Sequence, residues 1–339
     1  MKEELSPAID AYLRFRRSQD YSKRTLRVDQ MVLKRFLAVN GNVYCHAIGE
    51  KHVNRHFEEA SRTRSASSLQ NDHGVLIRFF KWARHTGRMP VDSDPMFGRR
   101  RAKPMKRERE RIPAHEFDRL LEVADREPRN RAMVAVLLYT LMRDGEVTDL
   151  RIRDLDLQGG WLTARIHKTR LEDRMPVSEE LDREMRRWLT HYTTLVGPLE
   201  PHYFLIPARA ASPVLDPTTG RIGYHRSIYQ PEKNVRTSSR ILKPILEGID
   251  FPVVDHNGKA AGEGAHTIRR SGARALFDQL VEGGYDHALR IVQAMLHHSS
   301  MAMTEKYIGI TADRRSRDEI LRGKRMYGGN VAGVVKIAR

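Results

Sequence analysis

The amino-acid sequence predicts a mainly helical protein of two domains, with a small antiparallel sheet inside the second domain. Its 339 residues are enough for two domains that each have a core of their own. Apolar residues recur at helical spacing along most of the chain, whereas short alternating runs and tight turns occur between residues 154 and 177. Hydrophobic residues make up 40% and charged residues 30% of the sequence, as in soluble globular proteins.

The first predicted domain, residues 1–98, has the pattern of amphipathic helices. Ser22 is expected to cap one helix, because a hydroxyl at this position can accept from the first free backbone N–H groups. The apolar positions of that helix are predicted at Leu26, Met31, Leu33 and Phe36.

A further helix in this domain is predicted to be capped by Ser67 or Ser68. Its apolar positions are Leu69, Leu76, Phe79, Phe80 and Ala83. The opposite face carries Arg78, Lys81 and Arg84, which are either solvated or line a DNA backbone.

Residues 99–111 are predicted to be a basic interdomain linker. The segment GRRRAKPMKRERER, residues 98–111, contains eight basic and two acidic residues, a proline and no apolar period. Such a linker either follows phosphates across a groove or is a solvated tether.

The second predicted domain, residues 112–311, mixes helices with a hairpin. The hairpin is expected from 154–157 and 161–166, followed by a strand at 174–177. Residues 207–239 are expected to be a long irregular loop, since they are rich in Pro, Gly, Thr and Arg. Helices are predicted at 115–125, 129–142, 179–192, 241–246, 266–282, 288–296 and 300–307.

The charge balance predicts an anionic partner. The chain has 60 Lys and Arg against 43 Asp and Glu, a net charge of +17 and a pI near 10.1. Residues 1–110 contain 24 of the basic and 13 of the acidic residues, and therefore +11 of the net charge. Double-stranded DNA is the favoured partner, because each neutralised phosphate releases counterions; a solubilising surface is the alternative.

Several classes of protein are disfavoured by simple features. The longest near-apolar run, residues 132–142, is too short to cross a bilayer, and the first residues lack the apolar stretch of a signal peptide. The single cysteine, Cys45, excludes an intramolecular disulfide and a cysteine zinc cluster. We therefore expect a cytoplasmic protein with no membrane partner.

Two pairs of residues are suited to binding a phosphate. His266 and Arg269 lie three residues apart on a predicted helix, so both project from one face. Arg143 follows the buried apolar helix, with Glu146 three residues later to steady the turn. A guanidinium offers two parallel hydrogen bonds to an oxyanion. Alone, the His266–Arg269 pair is better explained as a chance pair in a chain with 15 histidines, and the alternative for Arg143 and Glu146 is an ordinary surface pair.

Three further residues can take part in proton transfer or nucleophilic attack. Lys168 lies at the predicted tip of a hairpin, where a lysine either enters a groove or is simply solvated. His298 precedes Ser299 and Ser300, which are good caps for a short helix that carries Tyr307. A phenol needs nearby positive charge to become a nucleophile, and the plainer alternative for Tyr307 is a half-buried packing residue.

In this order, these residues resemble those of the tyrosine recombinase (phage integrase) family. The resemblance covers nearly the whole chain: an R-x-x-E turn at Arg143, a K-T hairpin at Lys168, H-x-x-R at residues 266–269, and L-x-H-S-S…T-x-x-Y ending at Tyr307. The H-H-S-S variant is similar to integrases of actinobacterial phages. Two positions depart from the family pattern: His297 stands where glycine is usual and Arg270 where histidine is common.

The resemblance implies a tyrosine recombinase fold, with a core-type DNA-binding domain and a catalytic domain. It implies a metal-independent strand transferase without cofactors, acting through a 3′-phosphotyrosyl intermediate and a Holliday junction in phage or mobile-element integration and excision. The implied catalytic residues are Arg143, Lys168, His266, Arg269, His298 and Tyr307.

The same resemblance implies partners. These are double-stranded DNA attachment sites, three further copies of the chain in a homotetramer on the DNA synapse, and a directionality factor. Residues 312–339 are expected to form a tail that docks on a neighbouring subunit, or else a frayed terminus. The alternatives are a recombinase that resolves chromosome dimers and a non-catalytic DNA-binding repressor on the same scaffold.

Overall fold

A computed structural model of the chain describes residues 3–103, 110–166, 171–215, 222–251 and 264–310. The chain divides into two compact units, Met1–Arg107 and Glu108–Arg339. Lys168, part of the predicted linker and the predicted C-terminal tail lie outside the described residues. Within the described ranges, no helix combines the length and the apolar character needed to span a bilayer.

The first unit is built from four helices around an aromatic core. They are α1 (Leu5–Ser18), α2 (Lys23–Asn40), α3 (Glu50–Ser61) and α4 (Ala66–His85). As predicted, Ser22 caps α2, where its Oγ accepts from the backbone N–H of Thr25 at 3.2 Å. Phe36 of α2 packs edge-to-face on Phe80 of α4, and both rings are buried.

Two details of the first unit differ from the predictions. Helix α4 is capped by Ser65, whose Oγ accepts from the N–H of Ser68, instead of by Ser67 or Ser68. Several nearby serines are chemically equal, so the turn that leads into the helix decides which one caps it. On α2, Met31 is 50% exposed and Val32 is buried in its place, because the apolar face is set by packing against the neighbouring helices.

Part of the basic excess of this unit stabilises the fold itself. The buried carboxylate of Asp29 accepts from Arg16 and from Arg78, each at 3.0 Å. Arg84, on the face that we expected to be solvated or to line DNA, donates to the carbonyl of Ser93 at 2.7 Å. Arg78 and Arg84 therefore hold helix α4 to other parts of its own unit.

The second unit is mainly helical, as predicted, and contains two antiparallel sheets. Its strands are β1 (Leu155–Asp156), β2 (Trp161–Ile166), β3 (Leu171–Pro176), β4 (Pro207–Leu215) and β5 (Ile222–Asn234). The strand orders are β1-β2-β3 and β4-β5. The helices are α5 (Phe117–Ala124), α6 (Pro128–Thr140), α7 (Asp144–Thr148), α8 (Glu179–Val196), α9 (Ser239–Gly248), α10 (Ala265–Glu282), α11 (Ala288–Leu296) and α12 (Met301–Ile308).

Helix α6 runs through the centre of this unit, which explains its nearly continuous apolar sequence. Every residue from 132 to 138 is at most 3% exposed. The helix packs against α5, α8 and α10. The residues that follow its carboxyl end, including Arg143, are thereby attached to a rigid element.

The prediction of an irregular loop over residues 207–239 is wrong. In the structure, β4 and β5 form a two-stranded ribbon that pairs Pro207 with Asn234 and Leu215 with Ile222. The pairing has two register irregularities, and strands with such irregularities need not show a regular period of two in their sequence. The hairpin of β1 and β2 was predicted correctly, whereas β3 begins at Leu171, three residues before its predicted start.

Candidate active site

Arg143 is oriented by a buried carboxylate at the start of α7. The polypeptide leaves α6 through Leu141 in the left-handed conformation, and Arg143 then occupies the cap position of α7. Glu146 accepts from the backbone N–H of Arg143 at 2.7 Å and from its Nη1 at 2.9 Å. The predicted R-x-x-E pair thus forms, with the Glu146 side chain only 2% exposed.

Arg269 of α10 meets Arg143 at a single backbone carbonyl. Its Nη2 donates to the oxygen of Leu296 at 2.7 Å, and Nη2 of Arg143 lies 3.4 Å from the same oxygen. Leu296 is the last residue of α11, so this carbonyl is at the negative end of a helix. The carboxylate of Glu146 is 3.9 Å from Nη1 of Arg269.

The environment of Arg269 suits an anionic ligand. Burial lowers the pKa of its guanidinium from its ordinary value to about 10, the nearby cation Arg143 lowers this pKa too, and Tyr307 and Glu146 raise it. The group therefore stays cationic at neutral pH. Its Nη1 is buried and makes no hydrogen bond to the described part of the chain. A desolvated cation with a donor to spare favours an oxyanion.

Tyr307 lies beside these cations on α12. The Oγ of Ser300 caps this helix through the N–H of Met303 at 3.3 Å, as predicted. The phenol ring is half-buried, and its hydroxyl donates to the backbone carbonyl of His266 over a long 3.4 Å. The guanidinium carbon of Arg269 is 5.9 Å from the ring centre. The guanidinium of Arg269 is therefore placed to stabilise negative charge on the phenol oxygen.

The two predicted histidines are both neighbours of Tyr307. The His298 ring is 5.2 Å from the phenol ring, at 84° to it, and its Nδ1 is 3.1 Å from Oγ1 of Thr304. His266 is exposed on the first turn of α10. The structure thus brings together Arg143, Arg269, His298, Tyr307 and the backbone of His266.

Two contributors to the site were given no role from the sequence. Thr304, the threonine of the T-x-x-Y motif, is fully buried and holds the His298 ring; its place in that motif was the signal for it. The carbonyl of Leu296 binds both arginines, and a backbone oxygen has no sequence signal.

His297 explains why glycine is usual before the second histidine. Its backbone is left-handed, with φ 50° and ψ 45°, a conformation that favours glycine but that histidine tolerates better than most residues. Its Nε2 is 2.8 Å from Oδ2 of Asp173 on β3. This contact joins the sheet to the carboxyl end of α11. Within the described ranges, no group of three or more metal-ligating side chains comes together.

Comparisons with known proteins are consistent with this geometry. A model of the phage integrase family matches residues 110–314. The tyrosine recombinase XerC of Lactobacillus delbrueckii subsp. bulgaricus is 27% identical over 328 residues, covering 89% of this chain and 92% of the relative. The tyrosine recombinase XerA of Pyrococcus furiosus is 26% identical over 202 residues, covering 59% of this chain and 57% of the relative.

Solved structures share the fold. A lambda integrase dimer bound to a COC′ core site superposes with a TM-score of 0.66 at 17% identity, covering 97% of this chain and 81% of that chain. The XerH recombinase bound to palindromic difH substrate, in its post-cleavage complex, gives a TM-score of 0.61 at 16% identity, covering 88% and 79%.

Proposed function

The chain belongs to the phage integrase family, and on that premise we propose that it is a site-specific DNA recombinase, a strand transferase that cleaves and rejoins DNA through a 3′-phosphotyrosyl intermediate. The observation that carries this proposal is the convergence of two guanidiniums on one carbonyl beside a phenol. Arg143 and Arg269 both reach the oxygen of Leu296, and Tyr307 lies next to Arg269.

The two arginines would hold the non-bridging oxygens of the scissile phosphate. A pentavalent transition state has more negative charge on those oxygens than the ground state has, so prearranged cations stabilise it selectively. The spare buried donor of Arg269 supports this role. Removing one such donor typically costs about 3 kcal/mol of transition-state stabilisation, or roughly a hundredfold in rate.

Tyr307 would attack the phosphorus atom. The bond from its phenol oxygen to phosphorus forms, the bond from phosphorus to the 5′-oxygen breaks, and the products are a 3′-phosphotyrosine and a free 5′-hydroxyl. His266 would accept the phenol proton through its imidazole. The backbone carbonyl of His266 lies 3.4 Å from the Tyr307 hydroxyl, so the two residues are neighbours. Lys168 would protonate the leaving 5′-oxygen, and His298 would donate to the phosphate.

This chemistry draws its charge stabilisation from side chains and conserves the energy of the phosphodiester. The phosphotyrosine retains a phosphoester bond, so a 5′-hydroxyl from a partner strand can attack it without ATP. Two rounds of such exchange produce a Holliday junction and then recombinant DNA. We propose no metal and no cofactor for these steps.

We propose that the working unit is a homotetramer on two attachment sites, since two pairs of strands must be cut and exchanged. A structure of lambda integrase, a protein of the same fold, is a tetramer bound to a Holliday junction. The tail at 312–339 would dock on the neighbouring subunit, and a directionality factor would bias the outcome. We place the reaction in the cytoplasm.

The biological setting we propose is integration and excision of a phage or mobile element. Relatives named XerC and XerA support a second candidate, a recombinase that resolves chromosome dimers. The attachment sites discriminate between them: a pair of different sites flanking an element supports the first setting, and a single chromosomal site recombining with its own copy supports the second.

The test is covalent capture on a nicked attachment-site duplex, in which the cleaved end diffuses away. We expect a DNA–protein adduct on a denaturing gel in the presence of EDTA, and its loss in Tyr307→Phe. Tyr285→Phe is the matched control, since Tyr285 is 60% exposed in the turn after α10. Absence of the adduct in the wild type, with site-specific binding retained, would favour the repressor.

A further inference from the structure

The segment where the linker enters the second unit is bound to the helices that carry the site. The buried Arg270 side chain donates from Nη2 to the carbonyl of Glu110 at 2.8 Å. The backbone N–H of Ile112 donates to Oγ of Ser271, also buried, at 2.8 Å. Arg270 and Ser271 directly follow Arg269 on α10, so residues 110–112 are anchored beside the candidate phosphate site. The departure from the family pattern at Arg270 therefore has a structural role.

Arg111, between these two anchors, reaches the end of the nucleophile helix. Its Nη1 donates to the carbonyl of Ile308 at 2.9 Å. Ile308 is the last residue of α12 and follows Tyr307 directly. The last carbonyls of a helix lack donors within it and carry its negative pole, so a cation there stabilises the helix end. Arg274 also approaches this carbonyl, but at 3.5 Å, a longer distance than that of Arg111. The side chain of Arg274 pairs instead with Asp278.

Gly309 shows that the helix end is shaped around this guanidinium. Its φ of 78° is in the left-handed region, where glycine ends helices without strain. A Cβ at this position would overlap the guanidinium of Arg111. The backbone conformation favours glycine, and the absence of a Cβ leaves the space that the guanidinium of Arg111 fills, so Arg111 packs against the end of α12 as well as donating to it.

We propose that Arg111 is a positioning residue that sets the end of α12 and hence the place of Tyr307. This inference rests on the proposed function. The simpler alternative is that Arg111 is one of the basic linker residues that contact DNA phosphates. The two roles differ in kinetics: a phosphate contact contributes affinity and salt dependence, whereas a positioning residue contributes to the rate once the DNA is bound.

The experiment measures single-turnover adduct formation at saturating nicked duplex, together with the Kd at several salt concentrations, for the full-length chain. For Arg111→Ala we expect the saturated rate to fall at least tenfold, with the Kd within twofold and the salt slope unchanged. Arg111→Lys should recover part of the rate, because an ammonium can also bind the last carbonyl. Arg186→Ala is the control, since Arg186 is 58% exposed and pairs with Asp182 on α8.

A weaker Kd and a shallower salt slope in Arg111→Ala, at an unchanged saturated rate, would overturn the proposal. Hydrogen exchange adds a readout that needs no activity: Arg111→Ala should speed exchange in residues 301–310 more than elsewhere, and unchanged exchange there would also overturn it. If the wild type forms no adduct, the proposed function fails, and the exchange measurement still decides whether Arg111 holds α12.

Discussion

Glu146→Gln tests whether one buried carboxylate holds both candidate phosphate-binding arginines. Glu146 accepts two hydrogen bonds from Arg143 and lies 3.9 Å from Arg269. Glutamine has the same size but no charge, and its amide replaces one acceptor oxygen with a donor. In one of the two contacts with Arg143, two hydrogen-bond donors therefore face each other and no hydrogen bond can form. In addition, the guanidinium of Arg269 loses the negative charge that compensates it.

The size of the expected loss of stability follows from the burial of Arg269, which is only 2% exposed. The lowering of its pKa to about 10 corresponds to a cost of about 3 kcal/mol for the charged form, with Glu146 present. This cost is fully present below pH 10 and is relieved only as the pH rises above about 10. Removing one partner from a buried ion pair costs about 3–5 kcal/mol.

We expect Glu146→Gln to lose about 3 kcal/mol, the lower figure, because the Arg143 side chain is 26% exposed and can turn to water. For a unit of this size, such a loss lowers the Tm by about 6–12 °C. Calorimetry of the full chain measures it, with the transitions of the two units fitted separately. The saturated rate of adduct formation should fall too, since both arginines lose their orientation.

Glu247→Gln is the matched control for this prediction. Glu247 is 49% exposed and pairs with Lys243 four residues earlier on α9, a contact worth at most about 0.5 kcal/mol. An exposed ion pair contributes at most about 1 kcal/mol. If the free energy of unfolding of Glu146→Gln differs from that of the wild type by no more than this, the reasoning about a shared carboxylate is refuted.

Three further predictions concern the site. Thr304→Val keeps the shape of a buried residue but removes the hydroxyl beside His298, so stability should fall by about 1 kcal/mol and the saturated cleavage rate several-fold; an unchanged rate would show that the ring is oriented by other groups. His297→Gly relieves about 1 kcal/mol of left-handed strain and removes a half-exposed pair with Asp173 that contributes a similar amount. The free energy of unfolding, measured in urea, should therefore change by less than about 1 kcal/mol, and a loss above about 2 kcal/mol would contradict this. Arg269→Lys replaces a planar guanidinium, which can donate two parallel hydrogen bonds, by a single ammonium, so cleavage at pH 7 should fall about a hundredfold; a rate close to wild type would exclude bidentate binding.

The sequence by itself was sufficient to predict the helices, caps and turns whose pattern is visible in neighbouring residues. The continuous apolar run of α6, the serine caps of α2 and α12, and the β1–β2 turn were all predicted from neighbouring residues. The candidate residues were proposed because Arg, Lys, His and Tyr side chains follow one another in an order that resembles that of a known family. These signals lie in side-chain identity and short spacing, which a sequence displays directly.

The tertiary structure decided the contacts that join those residues. The carbonyl of Leu296 binds Arg143 across 153 positions, and that of Ile308 binds Arg111 across 197. A carbonyl has the same chemistry in every residue, so only packing determines which one receives a guanidinium. The β4–β5 ribbon escaped prediction for the same reason, since it is held by main-chain pairing with irregular register. The identity of the side chains determines the local chemistry, whereas the contacts made by backbone groups depend on how the whole chain folds.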